Sequence, residues 1–401
     1  MDTASITTAV IRLMTEFAER TALYASDRPP VRYLWTDAFA VCNFLELFLR
    51  TGDSHFKDAA LRLVDQVHHI LGRHRLDDNR HGWISGLNEA EGERHPTAGG
   101  LRIGKQYQER APQQPYDQVL EWERDGQYYH YLTKWMHALN LVARITEKPH
   151  YLDWAIELAA AAHAGFVSSS AGNSSKRMFW KMSIDLSRPQ VPAMGQHDPL
   201  DGLITCLELR SPTSLPGKER SESLRKEISD LTALCRNRSW VTDDPLGLGG
   251  LLCEAFRLAQ MLPGTDPAFA GPVLLAEIMQ DSLDGLSAYE ASDSLRIGAE
   301  RRLAFRELGL AIGLEAARIL AGLLPEGLPL PDSKSSVPAI SDRLQAYVPL
   351  RNEINSFWLD PANRQVSNWL QHREINTVML ATSLAPACFL SLTGKRSSFA
   401  A

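Results

Sequence analysis

Apolar residues in this chain recur at helical spacing almost from end to end, with little strand-like alternation. Between Glu123 and Ile145 the sequence reads ERDGQYYHYLTKWMHALNLVARI. On a helix, Tyr128, Tyr131, Leu132, Trp135, Leu139 and Val142 share one face. His130, Lys134 and His137 share the opposite face, and that row continues as Leu141 and Ile145. The helix is therefore amphipathic in its first two turns and apolar all round afterwards, which predicts a buried body. Polar groups gathered at its start predict that this end opens into a cavity.

The same periodicity predicts helices over about 5–25, 32–50, 55–72, 126–146, 149–166, 199–210, 219–237, 245–261 and 268–285. Others follow from near 301 to Leu324, within 339–357, and over 361–371 and 373–392. Short turns such as TGDSH and TEKPH join neighbours as antiparallel hairpins, giving about twelve principal helices in six pairs. No Pro/Gly/Ser linker separates two halves, so residues 1–401 are expected to form one domain. Two long connections, 76–124 and 167–198, interrupt the helices and carry Trp83, Trp122 and Trp180. The second contains RMFWKMSIDL, which alternates well enough for a short strand.

Composition narrows the class. Hydrophobic content of 44% with 22% charged residues describes a globular protein with ample core material. A net charge of −6 argues against a nucleic-acid binder. No run approaches the roughly 20 apolar residues of a membrane span, and the N-terminus lacks the pattern of a signal peptide. Five widely spaced cysteines fit free thiols in a reducing compartment, so the cytoplasm is expected.

The candidate chemistry lies at the helix starts. They read LWTDAF with Asp37, RDGQYYH with Asp125 and His130, and HDPLDGL with His197, Asp198 and Asp201. They continue with TDDPLGL around Asp243 and Asp244, RRLAFRE with Arg302, Arg306 and Glu307, and QHREIN with His372, Glu374 and Asn376. Each is followed by an apolar stretch. Aspartate is a good N-cap and dipole partner, so capping accounts for Asp198, Asp243 and Asp244 taken singly. Capping does not account for His130, Lys134, His197, Arg306 or His372.

With these six starts, the chain resembles the (α/α)6 toroids of the six-hairpin glycosidase type. The resemblance implies an all-α fold in which six inner helices form a barrel, six outer helices wrap it, and a site occupies a funnel at one end. Long loops and a small β-hairpin would decorate one end. Asp37, Asp125, Tyr129, His130, His197, Asp201, Arg306 and His372 stand at the positions that this architecture implies for a site.

Three functions remain open. A glycoside hydrolase needs two carboxyl groups flanking the scissile bond, for which Asp37 with Asp125, or Asp125 with Asp201, are the candidate pairs. Trp35, Trp83 and Trp180 would then stack on a small intracellular saccharide, although tryptophan in a helical chain is more often core. Lys134 and Asn376 complete the expected binding set. A sugar epimerase would instead use histidines, His197 with His372, or His130; a lyase would use Tyr129, His130 and Arg306. A third reading is a non-catalytic binding or scaffold protein, with the charged 212–229 segment at an interface.

No cofactor or metal is expected, because CxxC and HExxH are absent and adjacent His68 and His69 point to different sides of a helix. GGLRIGK, residues 99–105, lacks the GK[ST] ending of a phosphate loop and reads as a turn, with Arg102, Lys105 and Arg110 as possible anion contacts. Asp125→Asn and His130→Ala are both expected to remove activity and leave the fold intact.

Overall fold

The computed structural model describes residues 2–24, 26–169, 176–211, 223–264, 269–324 and 337–392. The larger of two compact units comprises Ala18–Phe48 and Gly52–Arg236, and the smaller comprises Met1–Phe17, Leu49–Thr51 and Asn237–Ala401. The first helices are α1 (Thr3–Arg20), α2 (Leu34–Thr51), α3 (Ser54–Leu71), α4 (Glu89–Arg94), α5 (Gln118–Glu123) and α6 (Tyr129–Thr146). They are followed by α7 (His150–Phe166), α8 (Asp198–Arg210), α9 (Arg225–Cys235), α10 (Pro245–Met261), α11 (Gly271–Ala291) and α12 (Ala304–Leu320). The chain continues with α13 (Val337–Gln345), α14 (Pro349–Leu359), α15 (Ser367–Gln371), α16 (Arg373–Leu384) and α17 (Ala387–Leu390).

Local chemistry sets the boundaries. The predicted TGD turn is present: Gly52 takes a left-handed conformation (φ 73°) to end α2, and Asp53 accepts the His55 N–H to start α3. Asp244 caps α10 by accepting the Gly247 N–H, with Pro245 in the first turn. The single helix expected within 339–357 is two, because Pro349 has no N–H to extend α13 and begins α14 instead. The start of the expected 219–237 helix and residues 212–222 of the charged segment lie outside the described residues.

Short strands occupy the long connections. β1 (Gln127–Tyr128), β4 (Lys181–Met182) and β5 (Pro189–Val191) form a three-stranded sheet in the order β1-β4-β5, and both pairings are antiparallel. β2 (Val167–Ser169) and β3 (Lys176–Met178) form an antiparallel pair. RMFWKMSIDL thus supplies parts of two strands.

The helices that follow the six polar starts are the all-round buried ones. In the larger unit, α2 is buried from Leu34 to Leu47, α8 from Asp198 to Leu209, and α6 from Trp135 to Ala143. Here α6 packs on α7 and α8, and α8 packs on α9. In the smaller unit α10 packs on α11 and α12, while α12 packs on α14 and α16. By contrast α3 buries one stripe, Ala59, Ala60, Leu63, Val64, Val67, His68 and Leu71. No described helix is long and apolar enough to cross a membrane.

Helices α10 and α12 approach unusually closely because glycines line the contact. A Cβ at Gly249 would lie 2.1 Å from the Gly309 carbonyl oxygen, and one at Gly313 would lie 2.6 Å from Gly249 Cα. Gly249→Ala should therefore cost about 1–3 kcal/mol through overpacking. Gly250→Ala, with nothing within 4 Å of its Cβ, should be stabilising by about 0.5–1 kcal/mol through helix propensity. Chemical denaturation of the two variants checks the contrast.

Candidate functional site

The row His130, Lys134 and His137 on α6 faces a matching acidic row on α8. His130 Nδ1 lies 3.6 Å from Asp198 Oδ1, Lys134 Nζ 2.8 Å from Asp201 Oδ1, and His137 Nδ1 2.9 Å from Glu208 Oε1. Thr133 adds a hydroxyl to Asp201, and Asn140 donates to Glu208. Burial deepens along this seam. The His130 side chain is 34% exposed, Lys134 13% and His137 2%. The lower rungs are closed polar pairs in the helix interface, and only the first opens outward.

Aromatic rings surround that open rung. His130 stacks on Tyr128 with centroids 5.6 Å apart and planes at 12°, and meets Tyr131 and Trp35 edge-on at 4.9 and 6.0 Å. The Tyr33 and Tyr131 hydroxyls are 2.8 Å apart. Burial, aided by the charges of Glu123 and Asp125, pushes the Tyr33 phenol up to about 12. Lys105 lies over the Tyr33 ring, and burial lowers the pKa of its ammonium. Three buried polar atoms in this shell have no hydrogen-bond partner among the described residues: Trp35 Nε1, Tyr128 Oη and Asp198 Oδ2. Buried polar groups normally have partners, so three around one half-open imidazole set this shell apart from the closed rungs below it.

The other predicted acids are held differently. Asp37 is buried, accepts the Tyr33 N–H at 2.9 Å and lies 3.5 Å from Arg32. Asp125 is fully buried; its Oδ2 meets Arg102 at 2.5 Å and Arg75 at 3.5 Å. Its Oδ1 accepts the N–H groups of Gly104, Lys105 and Gly126. Asp125 therefore ties the 99–105 turn to the chain entering α6. Arg102 belongs to this pair, and Arg110 is paired with Glu121 at 2.9 Å, so of the three cations proposed as anion contacts only Lys105 lies in the ring cluster.

Several predicted contact residues are structural in their surroundings. Trp83 is 2% exposed, packed against Gly92 with the Arg73 guanidinium 4.3 Å above its ring, which leaves no face for a sugar. Tyr129 is 2% exposed against Phe166 and Gly202. In the smaller unit, Asn376 accepts the Phe305 N–H and donates to the Trp369 carbonyl, Arg306 is ion-paired with Asp244, and His372 is exposed beside Phe305. His197 stands half-buried at the N-cap of α8. Trp180 is half-buried, 5.1 Å from Tyr128. A cavity of about 210 Å³ in the smaller unit is lined by Arg50, Glu315, Arg318 and Arg351 among others, and by none of the predicted site residues. Among the described residues no group of three or more His, Cys, Asp or Glu side chains could hold a metal ion.

No family model matches the chain, and no curated protein matches it. Among solved structures it is similar to the GH76 alpha-mannanase of Bacteroides thetaiotaomicron, with 10% identity over 96% of this chain and 97% of that one, at a TM-score of 0.54. It is similar to the GH76A alpha-1,6-mannanase of a Salegentibacter species, with 14% identity over 95% and 99% and a TM-score of 0.48. For the cellobiose 2-epimerase of Spirochaeta thermophila the values are 11%, 86%, 98% and 0.43. This chain has the fold of an (α/α)6 toroid.

Within that toroid, Asp198 is the functional candidate that capping logic set aside. No side-chain cap bond is made at the start of α8, and its carboxylate turns to His130 instead. The geometry revises the expectation for Asp125→Asn, because the change removes the carboxylate that faces the buried Arg102 guanidinium. It should cost about 3–5 kcal/mol. Asp244→Asn, breaking a pair whose side chains are 35% and 41% exposed, should cost about 0–1 kcal/mol in the same denaturation experiment.

Asp37 carries a pH signature. Burial, opposed by Arg32 and the Tyr33 N–H, raises its carboxyl from 3.8 to about 6. The native state thus holds this proton more tightly than the unfolded chain. The corresponding stability is full below pH 3.8 and is lost as pH rises through about 6. Asp37→Asn should flatten the fall in unfolding free energy across that window; an unchanged slope would show that Asp37 stays ionised throughout.

Proposed function

We propose that this protein is a carbohydrate-active enzyme that moves a proton on a sugar carbon, with His130 as the acid–base group. The saccharide class is suggested by the likeness to the GH76 alpha-mannanase. The chemistry rests on one observation: His130 is the half-open member of the α6–α8 seam, 3.6 Å from Asp198. Glycoside hydrolysis calls for a carboxylic acid and a second carboxylate. Asp37, Asp125 and Asp201 are 1%, 0% and 7% exposed, and each is already engaged by a cation. This arrangement favours the histidine reading over the carboxylate-pair reading.

In the proposed step, neutral His130 takes the proton from the carbon next to the carbonyl of an open-chain sugar. The electrons of that C–H bond move into an enediolate, and Asp198 stabilises the imidazolium that forms. The enediolate then turns to present its other face to the same imidazolium, which exchanges its proton with solvent and delivers a solvent-derived proton to that carbon, giving the epimer. Four of the five cysteines are buried, as apolar core residues of a reducing compartment would be, in keeping with a cytoplasmic enzyme.

Incubation of free reducing sugars with the enzyme in deuterium oxide should place deuterium at C2. His130→Ala should lower that exchange by about 10²–10⁴-fold. Asp198→Asn should lower it less and shift its pH profile. Hydrolysis of aryl mannosides without exchange would overturn this reading in favour of a glycosidase, and absence of both reactions would leave a binding protein.

A further inference from the structure

The second aromatic feature lies beyond the His130 rung. Among the described residues, half of the ten exposed large hydrophobics fall between positions 107 and 122: Tyr107, Tyr116, Val119, Leu120 and Trp122. Scattered exposed apolar side chains are ordinary, but five within one short connection are a concentration of them. Trp122 is 52% exposed. Its ring lies 5.2 Å from Trp180, which lies 5.1 Å from Tyr128, the ring that stacks on His130. Trp122 also lies 6.4 Å from Tyr128 itself, so the three rings form one cluster against the proposed acid–base group.

This segment is held firmly. Asp117 caps α5 by accepting the Leu120 N–H, and Glu121 is buried against Arg110. Lys181, whose side chain is fully buried, donates to the carbonyls of Glu121 and Arg124 and pairs with Glu121 Oε1 at 2.9 Å. A buried lysine is costly, and here all its recorded bonds go to the segment that carries Trp122. A fixed aromatic face followed in the chain by the charged Glu123 and Arg124 suits a ligand with one C–H face and a hydroxyl edge.

We infer that Trp122 and Trp180 form a saccharide subsite next to His130, so that the substrate is an oligosaccharide of two or more sugar residues. Its reducing residue would lie at His130 and the next residue would lie over the indole cluster. The inference rests on the reading of His130 for the direction of the chain, but its binding test does not need turnover.

Titration calorimetry with mannose, mannobiose, mannotriose and cellobiose, on the wild type and on His130→Ala, reads the subsite directly. At least one disaccharide should bind roughly tenfold more tightly than the monosaccharide, the scale of one aromatic contact. Trp122→Ala, and Trp122→Ala combined with Trp180→Ala, should bring that ratio close to one. Trp122 is exposed, so its variant should keep the wild-type melting temperature. Equal affinity for mono- and disaccharides in the wild type overturns the subsite, as does a ratio unaffected by Trp122→Ala. So does a lack of saccharide binding with Trp122 instead required for capture of a protein. Trp122-dependent oligosaccharide binding without C2 exchange would sustain the subsite while overturning the His130 chemistry.

Discussion

The polar seam between α6 and α8 is the interaction on which the larger unit depends. Two helices that are apolar nearly all round must still bury three carboxylates at their contact, Asp198, Asp201 and Glu208. An uncompensated buried carboxylate costs several kcal/mol, so each needs a partner placed by the facing helix. The i, i+4, i+7 spacing of His130, Lys134 and His137 supplies those partners in register. Where the helices are deepest the pair is closed, with His137 and Asn140 both on Glu208. At the mouth the same geometry is left half-finished, since Asp198 Oδ2 has no hydrogen-bond partner among the described residues. One row of side chains is therefore closed and structural at its lower end and half-open at its upper end.

Asp125 shows the complementary case of a polar start used for construction. Its two oxygens gather two arginines and three backbone N–H groups from a connection whose own helices are only six residues long. Gln127 works beside it, accepting the Leu101 N–H and donating to the Gly99 and Ile184 carbonyls. A Cβ at Gly100 would lie 2.0 Å from the Gln127 side chain, so the glycines of the 99–105 stretch serve this close packing. The stretch that resembled a phosphate loop is a clamp on the entry to α6.

Much of the architecture was legible because burial is written into periodicity. A helix apolar on every face has to be internal, and the six polar starts mark the helices that prove most buried in each unit. The roles of the polar residues were less legible, because a role depends on a partner distant in sequence. Asp125 looked like an acid until Arg102 and Arg75 stood against it. Asp198 looked like a cap until His130 faced it. Trp83 and Trp122 lie in the same long connection, yet one is sealed under Gly92 and the other exposed. Residue type could not separate them, since tertiary packing alone decides which indole face stays open.

The cost of Lys181 ties these threads together. Burying an ammonium without residual exposure depresses its pKa and must be offset by well-placed acceptors. Its acceptors are the Glu121 and Arg124 carbonyls, the Glu121 carboxylate supplies the opposite charge at 2.9 Å, and its own charge lies 5.4 Å from the centre of the Tyr128 ring. Core stability alone would favour an apolar residue there, because replacing a buried ion pair with packed hydrocarbon is often neutral or stabilising. What the lysine provides is position. It fixes α5 against β4 and the Tyr128 ring, and so holds the Trp122 face at a set distance from His130 before any ligand arrives. A surface ordered in advance loses less entropy on binding, which is the advantage a shallow aromatic platform needs most.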